Sequence, residues 1–316
     1  MFVSDTAPTK IGALVIGESL LDVVELGDGQ VAESLGGSPF NVAIGLGRLG
    51  VSTTLVTGIG DDGVGAMVRD ALQAAGVELH PGSVRPGPSA VSRAALRPDG
   101  SADYRFENEL SVSKPVSLPS AAIIHIGSIA LFAEPGATSW KRGFKELGAN
   151  ALITLDPNIR TTFLSDPQSA RAHLQQFLPG TDVIKLSDED AAWLYPQRSP
   201  ADVLADLRAA GPSVAIMTLG AEGALLSTRA TLVRVRTPAT VVTDTIGAGD
   251  SYMSALIDGL LRSLSTAGSV ETWRRDADNM TEDELVVLGA AASAAAAITV
   301  SRRGANPPWH SELTAV

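Results

Sequence analysis

The 316-residue chain contains no cysteine. That absence excludes a disulfide scaffold, thiolate-bound zinc, iron–sulfur clusters and cysteine nucleophiles. Basic residues are also scarce: 24 Lys+Arg face 35 Asp+Glu, a formal net charge of −11 at pH 7. General nucleic-acid binding needs a basic surface to displace counterions, so nucleic acid is not an expected partner. An acidic total does not exclude one small anionic ligand, because a site can be locally positive. The four histidines show no metal-ligand spacing, and His125, inside an apolar run, reads as a satisfied core residue. Trp140, Trp193 and Trp309 read as packing residues. No basic segment runs into an apolar one over Met1–Lys10, so no secretory signal is expected there. The most apolar late stretch, Gly289–Val300, is shorter than the roughly 20 residues of a membrane span. A cytoplasmic protein with no membrane partner is the expectation.

What is present is a hydrophobic content of 45% arranged in alternating short and long segments. Ile11–Gly17, Thr53–Thr57, Ala121–Gly127, Ala151–Leu155, Asp182–Leu186 and Ser213–Leu219 read as strands. Phe40–Leu49 and Gly63–Gly76 read as helices, and helix-length segments separate the later strands. Such alternation predicts an α/β fold whose mainly parallel sheet is covered on both faces, a three-layer sandwich. Two regions break the rhythm. Residues 20–31 and 90–106 read as hairpin material, the second turning at Pro98-Asp99-Gly100. They predict a small β-sheet lid on one domain spanning residues 1–316.

Two small-residue motifs stand out. Asp244-Thr-Ile-Gly-Ala-Gly-Asp250 runs straight into a long helix beginning near Ser251. Gly247, Ala248 and Gly249 would offer backbone N–H groups to an anion at that helix N-terminus. Asp250, in the first turn, would accept a proton from a hydroxyl held beside them; taken alone it reads equally well as a helix cap. Near the start, Gly36-Gly37-Ser38-Pro39-Phe40-Asn41 lets backbone approach a ligand closely and presents the amide of Asn41 to hydroxyl groups. Gly58-Ile-Gly60-Asp61-Asp62-Gly63 fits a dinucleotide fingerprint, but its two carboxylates occupy the place of a pyrophosphate, so it reads as a structural turn.

Together, in this order and at this separation, the two motifs resemble the signatures of the PfkB (ribokinase-like) family of carbohydrate kinases, and the resemblance covers nearly the whole chain. It implies a ribokinase-like fold and phosphoryl transfer from ATP to a sugar hydroxyl, with Mg2+ and a potassium-type monovalent cation as further ligands. It implies Asp250 as catalytic base, with Gly247, Ala248 and Gly249 as the anion hole. Asp22, Gly36, Gly37 and Asn41 match the sugar contacts. Thr218, Gly220 and Gly223 match the nucleotide turn, which reads equally as a hairpin turn, and Ser293 lies in the Ala-rich helix (Leu288–Thr299) near the adenine. Lys185-Leu-Ser187-Asp-Glu-Asp190 replaces the family's Asn-x-x-Glu; Lys185 and Ser187 would serve ATP and Asp190 would hold Mg2+ through water. Asp244 and Ile246 would ligate the monovalent cation.

The acceptor is less defined. Gly17-Glu18-Ser-Leu-Leu-Asp22 and Asp156-Pro-Asn158-Ile-Arg160 resemble the fructokinase branch, which predicts fructose as substrate with Arg160 beside it, or else an Asp–Arg surface pair. 2-Keto-3-deoxygluconate kinase, a ribokinase-type kinase and a non-catalytic sugar- or nucleotide-binding regulator are the alternatives. A lid made of strands exposes edges, so a homodimer paired through the lid is a further expectation.

Overall fold

The computed structural model describes residues 11–25, 30–96, 102–110 and 112–313. A nine-stranded sheet forms its centre. In chain order its strands are β1 (Ile11–Ile16), β4 (Thr53–Val56), β6 (Val77–Leu79), β10 (Ala121–Gly127), β11 (Leu152–Asp156), β12 (Val183–Ser187), β13 (Val214–Thr218), β14 (Ala224–Ser227) and β15 (Leu232–Val235). A second sheet contains β2 (Leu20–Glu25), β3 (Val31–Gly36), β8 (Val91–Leu96) and β9 (Ala102–Glu107). β5 (Ile59–Gly60) and β7 (Val84–Arg85) make a short parallel clip.

Across the large sheet the order is β15-β14-β13-β12-β11-β10-β1-β4-β6. The run from β6 to β13 is parallel, and β14 and β15 add an antiparallel edge. Successive side chains of a strand face opposite sides, and here both sides are dry. Ala13 and Val15 enter one hydrophobic layer, with helices α1 (Ser38–Arg48), α2 (Gly63–Ala74), α7 (Ala248–Ala267), α8 (Val270–Ala277) and α9 (Glu282–Val300). Leu14 and Ile16 enter the other, with α3 (Gly136–Leu147), α4 (Pro167–Leu174), α5 (Asp188–Leu194) and α6 (Pro200–Ala209). That is the expected three-layer sandwich. The chain order reverses between β1 and β10, a switch point at whose carboxyl edge ligands bind in open α/β sheets.

The lid differs in detail from the expected hairpins. β2 and β3 pair antiparallel, as do β8 and β9, and the two hairpins join through a parallel β2–β8 pairing. β3 begins where the first lid segment was expected to end and carries the sheet on to Gly36, so the lid leads directly into the Gly36-Gly37 motif. The Pro98-Asp99-Gly100 turn lies outside the described residues. α9 also exceeds expectation: at 19 residues it is long and apolar enough to cross a membrane by length and composition. It nevertheless opens on Glu282, Asp283 and Glu284 and buries Leu285, Leu288, Ala292 and Ala295 in the core beside α7. Trp140 is buried as expected, whereas Trp309 is exposed and lies under the guanidinium of Arg48.

Candidate active site

The two motifs meet at the N-termini of α1 and α7. Gly247 caps α7 in the left-handed conformation (φ 76°), which a side chain resists, and a Cβ there would stand 2.6 Å from that of Ala305. No side chain caps this helix. One of the three expected nest donors is engaged locally, since the Ala248 N–H donates to the Thr245 carbonyl at 3.3 Å. Asp250 follows, buried in the first turn. Its Oδ1 accepts from the Ser38 hydroxyl at 2.6 Å and, more weakly, from the Asn158 amide at 3.5 Å; its Oδ2 accepts from the Asn41 amide at 2.8 Å. All three donors are neutral. They orient the carboxylate without an opposing charge in direct contact, and its remaining lone pairs can accept a proton.

The Asn41 amide thus stands beside Asp250, with one N–H given to the carboxylate and its oxygen and second N–H left over. Ser38 was missed as a site residue, and Asn158, expected at the ligand-binding edge, was not counted in the site. The signal for Ser38 was its place inside the first motif, one turn before Asn41. Asn158 carried the same kind of signal inside Asp156-Pro-Asn158, and it takes the left-handed conformation (φ 36°) at the end of β11.

On the lid side, Asp22 of β2 stands opposite Ser92 of β8, and its carboxylate lies over Gly36, where any Cβ would collide with it. Gly37 (φ 106°) brings its backbone against the Glu18 carbonyl in the same way. Burial raises the Asp22 carboxyl above its ordinary range, opposed by Ser92 and Arg160. Burial also raises that of Glu18, a fully enclosed acid within electrostatic reach of Arg160 and Asp250. Glu18 was quoted in a motif but not counted in the site. Arg160 is exposed, and among the described residues it forms no ion pair with Asp156; its charge instead reaches the acids Glu18 and Asp22.

Of the residues expected on the nucleotide side, Ser187 and Thr218 close the carboxyl ends of β12 and β13. Ser187 and Asp190 form a capping box on α5: the Asp190 N–H donates to Ser187 Oγ, and Asp190 Oδ2 accepts the Ser187 N–H. Asp190 Oδ1 accepts the Ile159 N–H at 2.8 Å. Each oxygen thus accepts one backbone N–H, which fixes the carboxylate at the start of α5 and leaves each oxygen a lone pair. Lys185, expected at a phosphate or in solvent, is buried and paired with Asp156. Thr218, Gly220 and Gly223 form the hairpin turn between β13 and β14, with both glycines at positive φ. Ser293 is buried on α9 with no hydrogen-bond partner for its hydroxyl. Asp244 accepts the N–H groups of Ile246 and Gly304, and these bonds hold its carboxyl below the usual range; Ile246 itself is exposed. The Asp61–Asp62 turn is structural, as expected: Asp62 caps α2 and accepts from Ser89. His125 is only half satisfied, with Nδ1 against Thr154 Oγ1 at 3.0 Å and Nε2 unpartnered.

The family model for pfkB family carbohydrate kinases matches residues 11–312. The chain belongs to this family. It is a carbohydrate kinase. Among its relatives, a fructokinase of Rhizobium leguminosarum bv. trifolii is 33% identical over 258 residues, 78% of this chain and 79% of that protein. The crystal structure of a Xylella fastidiosa fructokinase with bound ATP superimposes with a TM-score of 0.81 at 22% identity, covering 96% of this chain and 97% of that one. A Vibrio cholerae fructokinase with fructose, ADP and calcium ion bound gives 0.78 at 25% identity, covering 96% and 98%.

Proposed function

We propose that this kinase transfers the γ-phosphoryl group of ATP to fructose, giving fructose 6-phosphate and ADP. The observation that carries the reading is Asp250, held by Ser38 and Asn41 of one motif while standing in the first turn of the helix that the other motif opens. The acceptor hydroxyl would lie against this carboxylate. Its oxygen forms a bond to the γ-phosphorus, the bond from that phosphorus to the β,γ-bridging oxygen breaks, and the hydroxyl proton passes to Asp250. Backbone N–H groups at Gly247–Gly249 stabilise the charge on the transferring group.

Asp22, Gly36, Gly37, Asn41 and Arg160 are the proposed sugar contacts, beneath a lid that excludes water. Thr218, Gly220, Gly223 and Ser293 are the proposed nucleotide side. Among the described residues no cluster of three or more acidic or histidine side chains is set to hold a metal. Mg2+ would bind chiefly through substrate phosphates and water and would supply charge neutralisation there. Asp244 and Ile246 remain the proposed monovalent-cation position. The edge strand β3, with Val31 to Ser34 exposed, supports pairing of two lids in a dimer. We place the enzyme in the cytoplasm.

Fructose is favoured over a sugar acid by the electrostatics. Arg160 lies within electrostatic reach of two buried acids, Glu18 and Asp22, which compete with an acidic acceptor for its charge. A coupled ADP-release assay with fructose, 2-keto-3-deoxygluconate, ribose and adenosine tests this. The highest kcat/KM is expected with fructose. Preference for ketodeoxygluconate overturns the substrate assignment, and no acceptor-dependent ADP from any of them favours a binding protein instead.

A further inference from the structure

Beneath the first turn of α7 lies a buried ion pair that the proposed reaction does not use. Lys185 of β12 donates to Asp156 Oδ2 of β11 at 2.7 Å, and the two side chains are 4% and 0% exposed. The same ammonium donates to the Gly249 carbonyl at 3.3 Å, and a Cβ on Gly249 would touch it at 3.0 Å. From the other partner, Asp156 Oδ1 accepts the Asn158 N–H at 3.2 Å, and the Asn158 amide reaches Asp250 Oδ1. The pair therefore has two arms, one ending at the residue before Asp250 and one at its carboxylate.

Burial disfavours the lysine's charge, yet the carboxylates of Asp156, Asp250 and Asp190 outweigh it and hold the Lys185 pKa above its ordinary value. The neighbouring imidazole of His125 is pushed down to about 3 by burial and by that ammonium, so it is neutral. Nothing in this geometry presents Lys185 to a nucleotide.

We infer that the Lys185–Asp156 pair is a positioning device for Asp250, acting through Gly249 and Asn158 rather than on substrate. The inference rests on Asp250 being the base. A buried ion pair is a costly way to fill a core and contributes little net stability. Its presence under the anion hole is explained if it fixes the geometry of the turn, where a displacement of about 1 Å costs on the order of 10²-fold in rate.

Lys185→Met alone leaves Asp156 charged and unpaired, and loss of folding would obscure the result. The informative variant is Asp156→Asn/Lys185→Met, which removes both charges while keeping volume. It is expected to melt close to the wild type, to keep the KM values for ATP and fructose, and to lose about 10²-fold in kcat. Added to Asp250→Asn, the two substitutions should cost nothing further, because all three residues act on one proton transfer. A double variant with wild-type kcat overturns the positioning role, as does one whose whole defect is a raised KM for ATP. Additive loss on top of Asp250→Asn, or a double variant that fails to fold, also overturns it. Wild-type turnover in Asp250→Asn itself would instead remove the base assignment on which the inference stands.

Discussion

Helices α7 and α9 pack side by side, yet they begin in opposite ways. α9 is closed by its own residues: Thr281 Oγ1 accepts the Glu284 N–H, Glu284 accepts the Thr281 N–H, and three acids fill the first turn. α7 begins at a left-handed glycine with no side-chain cap, and its one first-turn acid is turned towards Ser38 and Asn41 of α1. A helix leaves its first N–H groups without intrahelical partners, and capping side chains usually satisfy them. Where the chain declines to supply a cap, those groups stay ready for an anion. α1, which opens on Gly37 without a side-chain cap, follows the same rule at the other motif.

Substitutions at the two N-termini sharpen or break this contrast. The largest effect is expected from Asp250→Asn, which keeps the shape of the turn but removes the proton acceptor. Its kcat should fall by roughly 10²–10⁴-fold while fructose binding, followed by calorimetric titration, persists. Gly247→Ala comes next, since it forces a Cβ into the left-handed cap and against Ala305. About 1–3 kcal/mol of stability should be lost, and distortion of the nest should lower kcat by on the order of 10²-fold. The smallest effect is expected from Thr281→Ala, which removes the α9 cap. It should cost about 1 kcal/mol in denaturant unfolding and leave kcat unchanged. If Thr281→Ala lowers kcat as much as Gly247→Ala does, the distinction between a closed and an open helix start fails.

Much of the architecture is legible in the chain because parallel strands covered on both faces are short continuous apolar runs. Ala121–Gly127 coincides with β10 residue for residue, and the other strand boundaries differ by a residue or so. The lid was legible as hairpin material, but its parallel β2–β8 join was not, because pairing between segments some seventy residues apart leaves no local pattern. Within the site, glycines and the acid of the second motif were readable from local chemistry. Lys185 was not. A lysine in an apolar strand reads the same whether its ammonium reaches solvent, a phosphate or a buried carboxylate, and only the neighbouring strand supplies Asp156. Ser187-x-x-Asp190 hid its local role for a related reason: its spacing is that of a metal-side motif and also of a capping box, and the fold forms the capping box.

The sequence by itself determined the layered α/β plan, the two glycine-rich helix starts and the acid that follows one of them. Those depend on backbone conformation, side-chain periodicity and residue size, all of which act over a few residues. Tertiary structure alone decided that Ser38 and Asn41 bind Asp250, that Asp22 rests on Gly36, and that Lys185 and Asp156 close beneath Gly249. Each of these joins groups far apart in the chain, and their hydrogen bonds and charges acquire partners only when the strand ends are brought to one edge.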